Sequence, residues 1–319
     1  MHKMPQDCCL GIDTSCYTTS VACVSEQGIV FSKRTMLSVP FGGRGLRQSE
    51  GLFQHTKQLA PLLEELFETV DRNRIGAVAV STKPIGTDES YMPVFLAGYM
   101  TARSIAAALG VPCIETNHQS GHFRAALVGH EALLGKSFYG MHISGGTTDL
   151  LSIETDRLAP YRMELLGTST DLHAGQFVDR VGVSLGLPFP AGKHLEEIAR
   201  EAVSRDVKLA SSVQGLNCSF SGAESAAARL QGTVPDAELA YGVYDCLSRT
   251  FSKMLQRAPE KNGRQPVLIC GGVASSGLLR ELLQKRCDAE LYFGKKELSA
   301  DNAVGVAYIG WDRRETWKR

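Results

Sequence analysis

Two histidines four residues apart, His118 and His122, stand where the apolar run Val111 to Glu115 gives way to a helical segment. Side chains at i and i+4 project from one helical face, so both imidazoles can meet a single cation. The same spacing also serves surface and capping pairs, so a third ligand decides between the readings. Asp301 is the candidate: it follows the polar stretch Lys295 to Ser299 and opens a helix expected over Asn302 to Arg313. Its distance along the chain leaves its position open at this stage. A second chemistry is written in glycines. Ser144-Gly145-Gly146-Thr147-Thr148 ends a strand with two residues that lack a Cβ, which lets backbone N–H groups approach phosphate oxygens. Gly271 and Gly272 follow the strand Val267 to Cys270 and precede a helix that includes Ser276, an order in which a helix N-terminus meets an anion. Either pair also serves as a plain tight turn.

Asp179, between Val178 and Arg180, is either a ribose ligand or a solvated surface charge, and Gly192 either floors an adenosine or turns the chain. His55, alone on an amphipathic helix, reads as structural, and His173 near Asp171 calls for the same reading. Ser15, Cys16 and Thr19 have nucleophilic or phosphate-binding side chains, but no base lies nearby in sequence, so no nucleophile and no catalytic residue is assigned.

The elements that must position these groups repeat. Cys8 to Ile12, a small-residue turn, Ser20 to Val24 and Ile29 to Ser32 read as three strands. Helix Glu50 to Val70, strand Ile75 to Ser81, helix Val94 to Leu109 and strand Val111 to Glu115 follow. From Phe138 the hairpin pattern returns: Tyr139 to Ser144, then Leu150 to Glu154, then Arg162 to Leu166. Helices are expected near Ala174 to Leu185, Lys193 to Val203, Glu238 to Leu255 and Ser276 to Lys285, with strands at Val267 to Cys270 and Leu291 to Phe293. The chain is therefore internally duplicated. Two such α/β units resemble actin, hexokinase and the heat-shock ATPases. That implies an actin-like ATPase (ASKHA) fold, two duplicated RNase H-like lobes around a central cleft. The expected division is residues 1–130 and 131–319, with the last helix, about 302–316, returning to the first lobe.

At 319 residues the chain suits two lobes with full cores. Lys plus Arg and Asp plus Glu both number 34, so no whole-molecule field draws nucleic acid or an anionic membrane, and any nucleic-acid contact must use local patches such as Arg44 and Arg47, Lys295 and Lys296, or Arg313 to Arg319. Nine cysteines, an odd number with no C-x-x-C pair, fit a reducing, cytoplasmic setting. No apolar run approaches the roughly 18 residues of a membrane helix, so no membrane partner is expected.

Read together, the segments Gly11 to Cys16, His118-Gln119-Ser120-Gly121-His122, Ile143 to Gly146, Ala174 to Asp179, Cys218 to Gly222, Gly271-Gly272-Val273 and Asp301-Asn302 resemble the TsaD family, formerly Gcp or O-sialoglycoprotein endopeptidase, over about Leu10 to Gly310. The family is the tRNA threonylcarbamoyladenosine synthase subunit. The resemblance implies an acyltransferase that moves a threonylcarbamoyl group from its adenylate to N6 of the tRNA adenosine beside the anticodon. It implies one divalent metal, zinc or iron, on His118, His122 and Asp301. It also implies an adenylate-type ligand, threonylcarbamoyl-AMP or ATP, on Ser144, Gly145, Gly146, Asp179 and Gly192, with Gly271, Gly272 and Ser276 beside them. Expected partners are tRNA, a TsaB-like paralogue and a TsaE-like small ATPase. Tyr17-Thr18-Thr19 stands where the family carries Asp-Glu-Thr, Thr147 where it has His, Ser276 where it has Asn, and Lys83-Pro84-Ile85-Gly86 replaces an Ala-Gly-Pro-Gly loop. Leu172 and His173 alter a further stretch. These departures suit a diverged paralogue, and the alternative function is a non-catalytic protein that binds nucleotide and a partner. A metallopeptidase is disfavoured, because Gln119 and Ser120 occupy the interior of the His pair where a general-base glutamate would be needed.

Overall fold

Short apolar runs become strands and rows of period 3.6 become helices over residues 6–38, 46–87, 89–156 and 161–317, which this computed structural model describes. β1 (Cys8–Thr14), β2 (Thr18–Ser25) and β3 (Gly28–Met36) form an antiparallel meander. Then α1 (Gln48–Thr69) leads to β4 (Ile75–Ser81), α2 (Phe95–Leu109) to β5 (Cys113–Thr116), and α3 (His118–Ala126) follows directly. β4 lies parallel to β1 and β5 parallel to β4, giving the sheet order β3-β2-β1-β4-β5.

The next part repeats this plan. β6 (Ser137–Ile143), β7 (Thr148–Glu154) and β8 (Arg162–Thr168) are the second meander. They are followed by α4 (Ala174–Ser184), α5 (Gly192–Arg200), the hairpin β9 (Ser212–Gln214) and β10 (Asn217–Ser219), α6 (Ser221–Leu230), α7 (Asp236–Arg257) and α8 (Pro259–Asn262). β11 (Val267–Cys270), α9 (Gly277–Arg286) and β12 (Leu291–Phe293) complete the sheet in the order β12-β11-β6-β7-β8, the first sheet's order read from the other edge. The duplication read from the hairpins is thus carried through both sheets. α10 (Val304–Asp312) follows, with a short 3₁₀ turn, Arg314–Thr316, after it. The chain divides into two compact units, one of residues 1–128, 155–161 and 300–319 and the other of 129–154 and 162–299.

In the first unit every residue of β1 and β4 is buried, as for parallel strands covered on both faces. One face packs Leu10, Ile12, Val78 and Val80 against Leu59, Leu62 and Leu66 of α1 and Ala102 and Ala106 of α2. The other face carries α10 so closely that a Cβ on Gly11 would lie 2.6 Å from the Ala303 carbonyl oxygen. In the second unit Tyr139, Met141, Phe177, Phe220, Tyr244 and Phe251 head the core.

β3, expected over Ile29 to Ser32, runs longer, and β9, β10, α6 and α8 were not expected. β3 continues to Met36 because its polar residues face outward on an edge strand, and the periodicity stops at the last half-buried positions. α6 is alanine-rich with only Ala223 and Ala227 fully buried, so its apolar stripe is too narrow to register as a helix period. Among the described residues no helix is long and apolar enough to cross a membrane. Of the basic residues singled out above, Arg44, Lys318 and Arg319 lie outside the described residues, while Arg47, Lys295, Lys296 and Arg314 are exposed.

Candidate functional site

The first unit brings three of the singled-out side chains together. β5 ends at Thr116, Asn117 caps α3 by accepting from the Ser120 N–H at 2.8 Å, and the His118 and Gln119 N–H groups donate to the Lys83 and Pro84 carbonyls. The first turn of α3 is thereby fixed against the loop after β4. His118 Nε2 and His122 Nε2 lie 3.0 Å apart, and Asp301 Oδ1 is 3.7 Å from the first and 3.3 Å from the second. The ligand atoms of these three residues all fall within 4.8 Å of one another.

This triangle fits a small divalent cation. Two bonds of 2.0–2.1 Å at a tetrahedral angle place ligand atoms about 3.3 Å apart, and the three edges of 3.0, 3.3 and 3.7 Å straddle that value. The donor set of two imidazoles and one carboxylate suits zinc or iron. Three protein ligands on such an ion leave room for others.

Further residues complete the surroundings. Asp13, wholly buried at the end of β1, meets His118 Nδ1 with both carboxylate oxygens, at 3.1 and 3.0 Å, and accepts a hydrogen bond from the Ser81 hydroxyl. Ser15 Oγ donates to Asp301 Oδ2 at 2.6 Å, and Arg34 donates to the Asp301 carbonyl at 3.3 Å. Burial works against charge on His118, but the charge and hydrogen bond of Asp13, together with Asp301, raise its pKa to about 9. Burial likewise opposes the Asp301 charge, yet the hydrogen bond from His122, the two imidazoles and Ser15 hold this carboxyl far below the usual range. An anionic field that holds a proton this firmly also draws a metal cation.

Asp13 and Ser15 were not assigned site roles from sequence. The signal lay in the Gly11 to Cys16 motif, but only the parallel pairing of β1 with β4 and the return of residue 301 reveal their partners. His55, read as structural, is fully buried with Nδ1 2.7 Å from Thr19 Oγ1 and Nε2 2.7 Å from the Ser15 carbonyl, where it braces the β1–β2 turn.

In the second unit the turn between β6 and β7 is closed by Ser144 N–H to Thr147 O at 2.8 Å. A Cβ on Gly145 or Gly146 would meet nothing within 4 Å, and neither has a positive φ. The surrounding protein thus imposes no need for glycine there; both residues are exposed, and the Gly146 N–H lies 3.4 Å from the Ser144 hydroxyl oxygen. α4 begins at the back of this turn: Gly175 N–H donates to Ser144 O, and a Cβ on Gly175 would lie 2.6 Å from Gly145 Cα. β11 pairs with β6, which puts Gly271 and Gly272 beside the same turn. Gly271 is required by the fold, with φ of 101° and the Ile143 oxygen 2.3 Å from where a Cβ would be, whereas Gly272 faces open space.

The remaining sequence candidates are engaged within the protein. Asp179 Oδ1 accepts from the Ala191 N–H at 2.8 Å and so fixes the entry to α5, which Gly192 opens. Burial pushes the Asp179 carboxyl up, and that hydrogen bond partly offsets it. The Gly192 carbonyl accepts from Tyr244 OH at 2.7 Å. Ser276 caps α9 by accepting from the Leu279 N–H at 3.2 Å. Glu196 Oε1 takes the Leu278 N–H at 2.8 Å, so the anion at the N-terminus of α9 is the protein's own carboxylate. The helix-terminus signal after Gly272 is met internally, because a short 3₁₀ turn, Val273–Ser275, separates the glycines from α9. His173 opens α4 as its N-cap, and Asp171 accepts from the Phe220 N–H and from Ser221 at the start of α6.

Two units of one repeated topology, the first with an imidazole–carboxylate triangle and the second with glycine turns at the ends of its central strands, define an α/β protein of the actin-like ATPase fold. The structure is similar to the activator of 2-hydroxyisocaproyl-CoA dehydratase from Clostridium difficile with bound ADPNP, with a TM-score of 0.57 and 16% identity over 97% of this chain and 96% of that one. It is also similar to HypF of T. kodakarensis, with a TM-score of 0.61 and 16% identity over 99% of this chain and 50% of that one. Residues 47–308 match the family model of TsaD, tRNA N6-adenosine threonylcarbamoyltransferase, and the chain belongs to this family.

Among relatives, the tRNA N6-adenosine threonylcarbamoyltransferase of Archaeoglobus fulgidus is 29% identical over 94% of this chain and 90% of its own length. A Methanocaldococcus jannaschii protein named "Probable bifunctional tRNA threonylcarbamoyladenosine biosynthesis protein" is 28% identical over 95% of this chain. The chain spans about half of that relative, 54% of its length.

Proposed function

We propose that this chain transfers a threonylcarbamoyl group from threonylcarbamoyl-AMP to N6 of the tRNA adenosine next to the anticodon. The observation that carries the reading is the His118–His122–Asp301 triangle in a chain of the TsaD family. In the reaction the N6 lone pair attacks the carbamoyl carbonyl, a C–N bond forms, the C–O bond to the phosphate breaks, the amine releases one proton to solvent and AMP departs with the bonding electron pair.

His118, His122 and Asp301 would hold one divalent ion, zinc or iron, which supplies a Lewis acid for ligand oxygens. Ser15 holds one oxygen of Asp301, so Oδ1 is the oxygen turned to the two imidazoles. The Gly145 and Gly146 N–H groups, with the Ser144 hydroxyl, would take the adenylate phosphate and stabilise the charge that grows on it as the bond breaks, because the turn that carries them is fixed before the reaction starts. Asp179 and Gly192 would meet the ribose and adenosine, with Gly271, Gly272 and Ser276 beside them, Gly272 leaving space and Gly271 and Ser276 shaping the turn. Arg47, Lys295 and Lys296 are candidate phosphate contacts for tRNA. A TsaB-like paralogue and a TsaE-like small ATPase would be partners, in a cytoplasmic setting.

A second reading, a non-catalytic paralogue that binds nucleotide and a partner, is favoured by one feature. Tyr17 and Thr18 replace an acidic pair; Tyr17 is exposed, while Thr18 is buried with its carbonyl accepting from Ser15. The two readings separate when purified protein is given threonylcarbamoyl-AMP and unmodified tRNA, with and without candidate partners, and the nucleosides are analysed by mass spectrometry. Transfer is expected; no modified nucleoside under any condition would leave the binding role in its place.

A further inference from the structure

We propose that Asp13, steadied by Ser81, is a positioning residue that fixes the tautomer and tilt of His118 and so sets the strength of the cation site. The inference rests on reading the triangle as a divalent-cation centre. It starts from register. β1 and β4 run parallel with Ile12 opposite Val80, so the next residues, Asp13 and Ser81, emerge together at the ends of the two strands. Both are completely buried, and the Ser81 hydroxyl donates to Asp13 Oδ1. The other partner of this carboxylate is the Nδ1 side of His118, spanned by both oxygens at 3.1 and 3.0 Å.

A carboxylate accepts and does not donate, so Nδ1 carries the hydrogen and the lone pair of a neutral ring is placed on Nε2. Nε2 is the atom that faces His122 and Asp301. The carboxylate also makes that nitrogen a stronger donor to a cation, and it keeps the ring from rotating about its Cβ–Cγ bond. A buried carboxylate is costly unless a positive charge compensates it, and that charge reaches Asp13 through the same ring, as a proton on Nε2 or as a cation in its place. Asp13 is therefore placed to act on whatever the far nitrogen of His118 holds.

Cobalt(II) is the probe, added to the full chain as wild type, Asp13→Asn, Asp13→Glu and Ser81→Ala, with binding and the visible ligand-field spectrum followed together. Wild type is expected to take one Co(II) per chain. Asp13→Asn should bind about 10- to 100-fold more weakly with an altered spectrum, and Asp13→Glu should recover most of the affinity. Ser81→Ala keeps the charge and should weaken binding about tenfold, the low end of such effects. A folded Asp13→Asn protein with wild-type affinity and spectrum would overturn the proposal. If that variant does not fold, unchanged affinity in folded Ser81→Ala does the same. Wild type that takes up no cobalt would remove the cation centre itself, a result distinguishable from either.

Discussion

Replacing Gly305 with alanine tests whether the packing of α10 on α3 holds the three ligands in place. A Cβ at residue 305 would lie 1.8 Å from the Gly121 carbonyl oxygen and 2.7 Å from the Ala125 nitrogen, both main-chain atoms of α3. Main chain cannot rotate aside as a side chain does, so the helices must part by more than about an ångström to reach the shortest Cβ contacts seen in close-packed interiors. Overpacking usually costs about 1–3 kcal/mol, and a backbone clash of this depth belongs at or above the upper end. α3 carries His118 and His122, and Asp301 lies just before α10, so the same displacement lengthens the 3.3 and 3.7 Å edges of the triangle. Coordination tolerates only about ±0.2 Å, so metal affinity should drop about 100-fold, an estimate at the upper end of the range for disturbed metal surroundings. Urea unfolding gives the first quantity and titration with Zn(II) or Co(II) the second. Gly222→Ala is the control: its Cβ would meet nothing within 4 Å in the first turn of α6, and it should leave stability within about 0.5 kcal/mol of wild type. Gly305→Ala protein with an unchanged urea midpoint and unchanged metal affinity would refute the argument.

Further outcomes follow from the same geometry. Gly145→Ala and Gly272→Ala should leave the urea midpoint within about 0.5 kcal/mol of wild type yet weaken binding of an adenylate analogue, whereas Gly271→Ala, with its positive φ and the Ile143 oxygen in the way, should be destabilised; equal nucleotide affinity in the first two would remove the proposed adenylate site. Arg124 lies almost wholly inside the protein, pairs with Asp312 at 2.6 and 3.0 Å and stacks on Tyr308, so Arg124→Met should cost about 3 kcal/mol, the low end for a buried pair, by stranding a carboxylate that is 12% exposed. Most of that should return in the double variant with Asp312→Leu, as read by urea unfolding. Asp245, buried beside Arg249, Arg286 and Lys208, governs part of the acid response. Burial pushes its carboxyl up, but the hydrogen bonds and charges of Arg249 and Arg286 more than offset this and leave it below the ordinary value. The unfolded chain therefore takes up this proton first as pH falls: the stabilisation is complete above the unfolded value of ~3.9 and fades as pH drops through the lower folded value. Asp245→Asn should lower stability near neutrality and shrink the loss between about pH 5 and pH 2; an acid limb parallel to that of wild type would contradict the assignment.

The sequence by itself determined whatever depends on near neighbours. The His118–His122 spacing, the glycines at strand ends and the repeated hairpin were legible because helix and strand periods act over a few residues. The two sheets share one strand order, the structural counterpart of that repeat, but the order itself came from the structure. Tertiary structure decided what depends on chain segments meeting. Asp301 reaches the histidines because α10 folds back onto β1 and α3, with glycines at residues 11, 121 and 305 allowing the close approach. Asp13 meets Ser81 and His118 through the parallel pairing of β1 with β4, and Glu196, unremarkable in sequence, takes the N-terminus of α9 that the glycine pair was expected to offer to an anion. A side chain's chemistry is local, but the partners that tune it are chosen by strand register and helix packing, which no short window of residues contains.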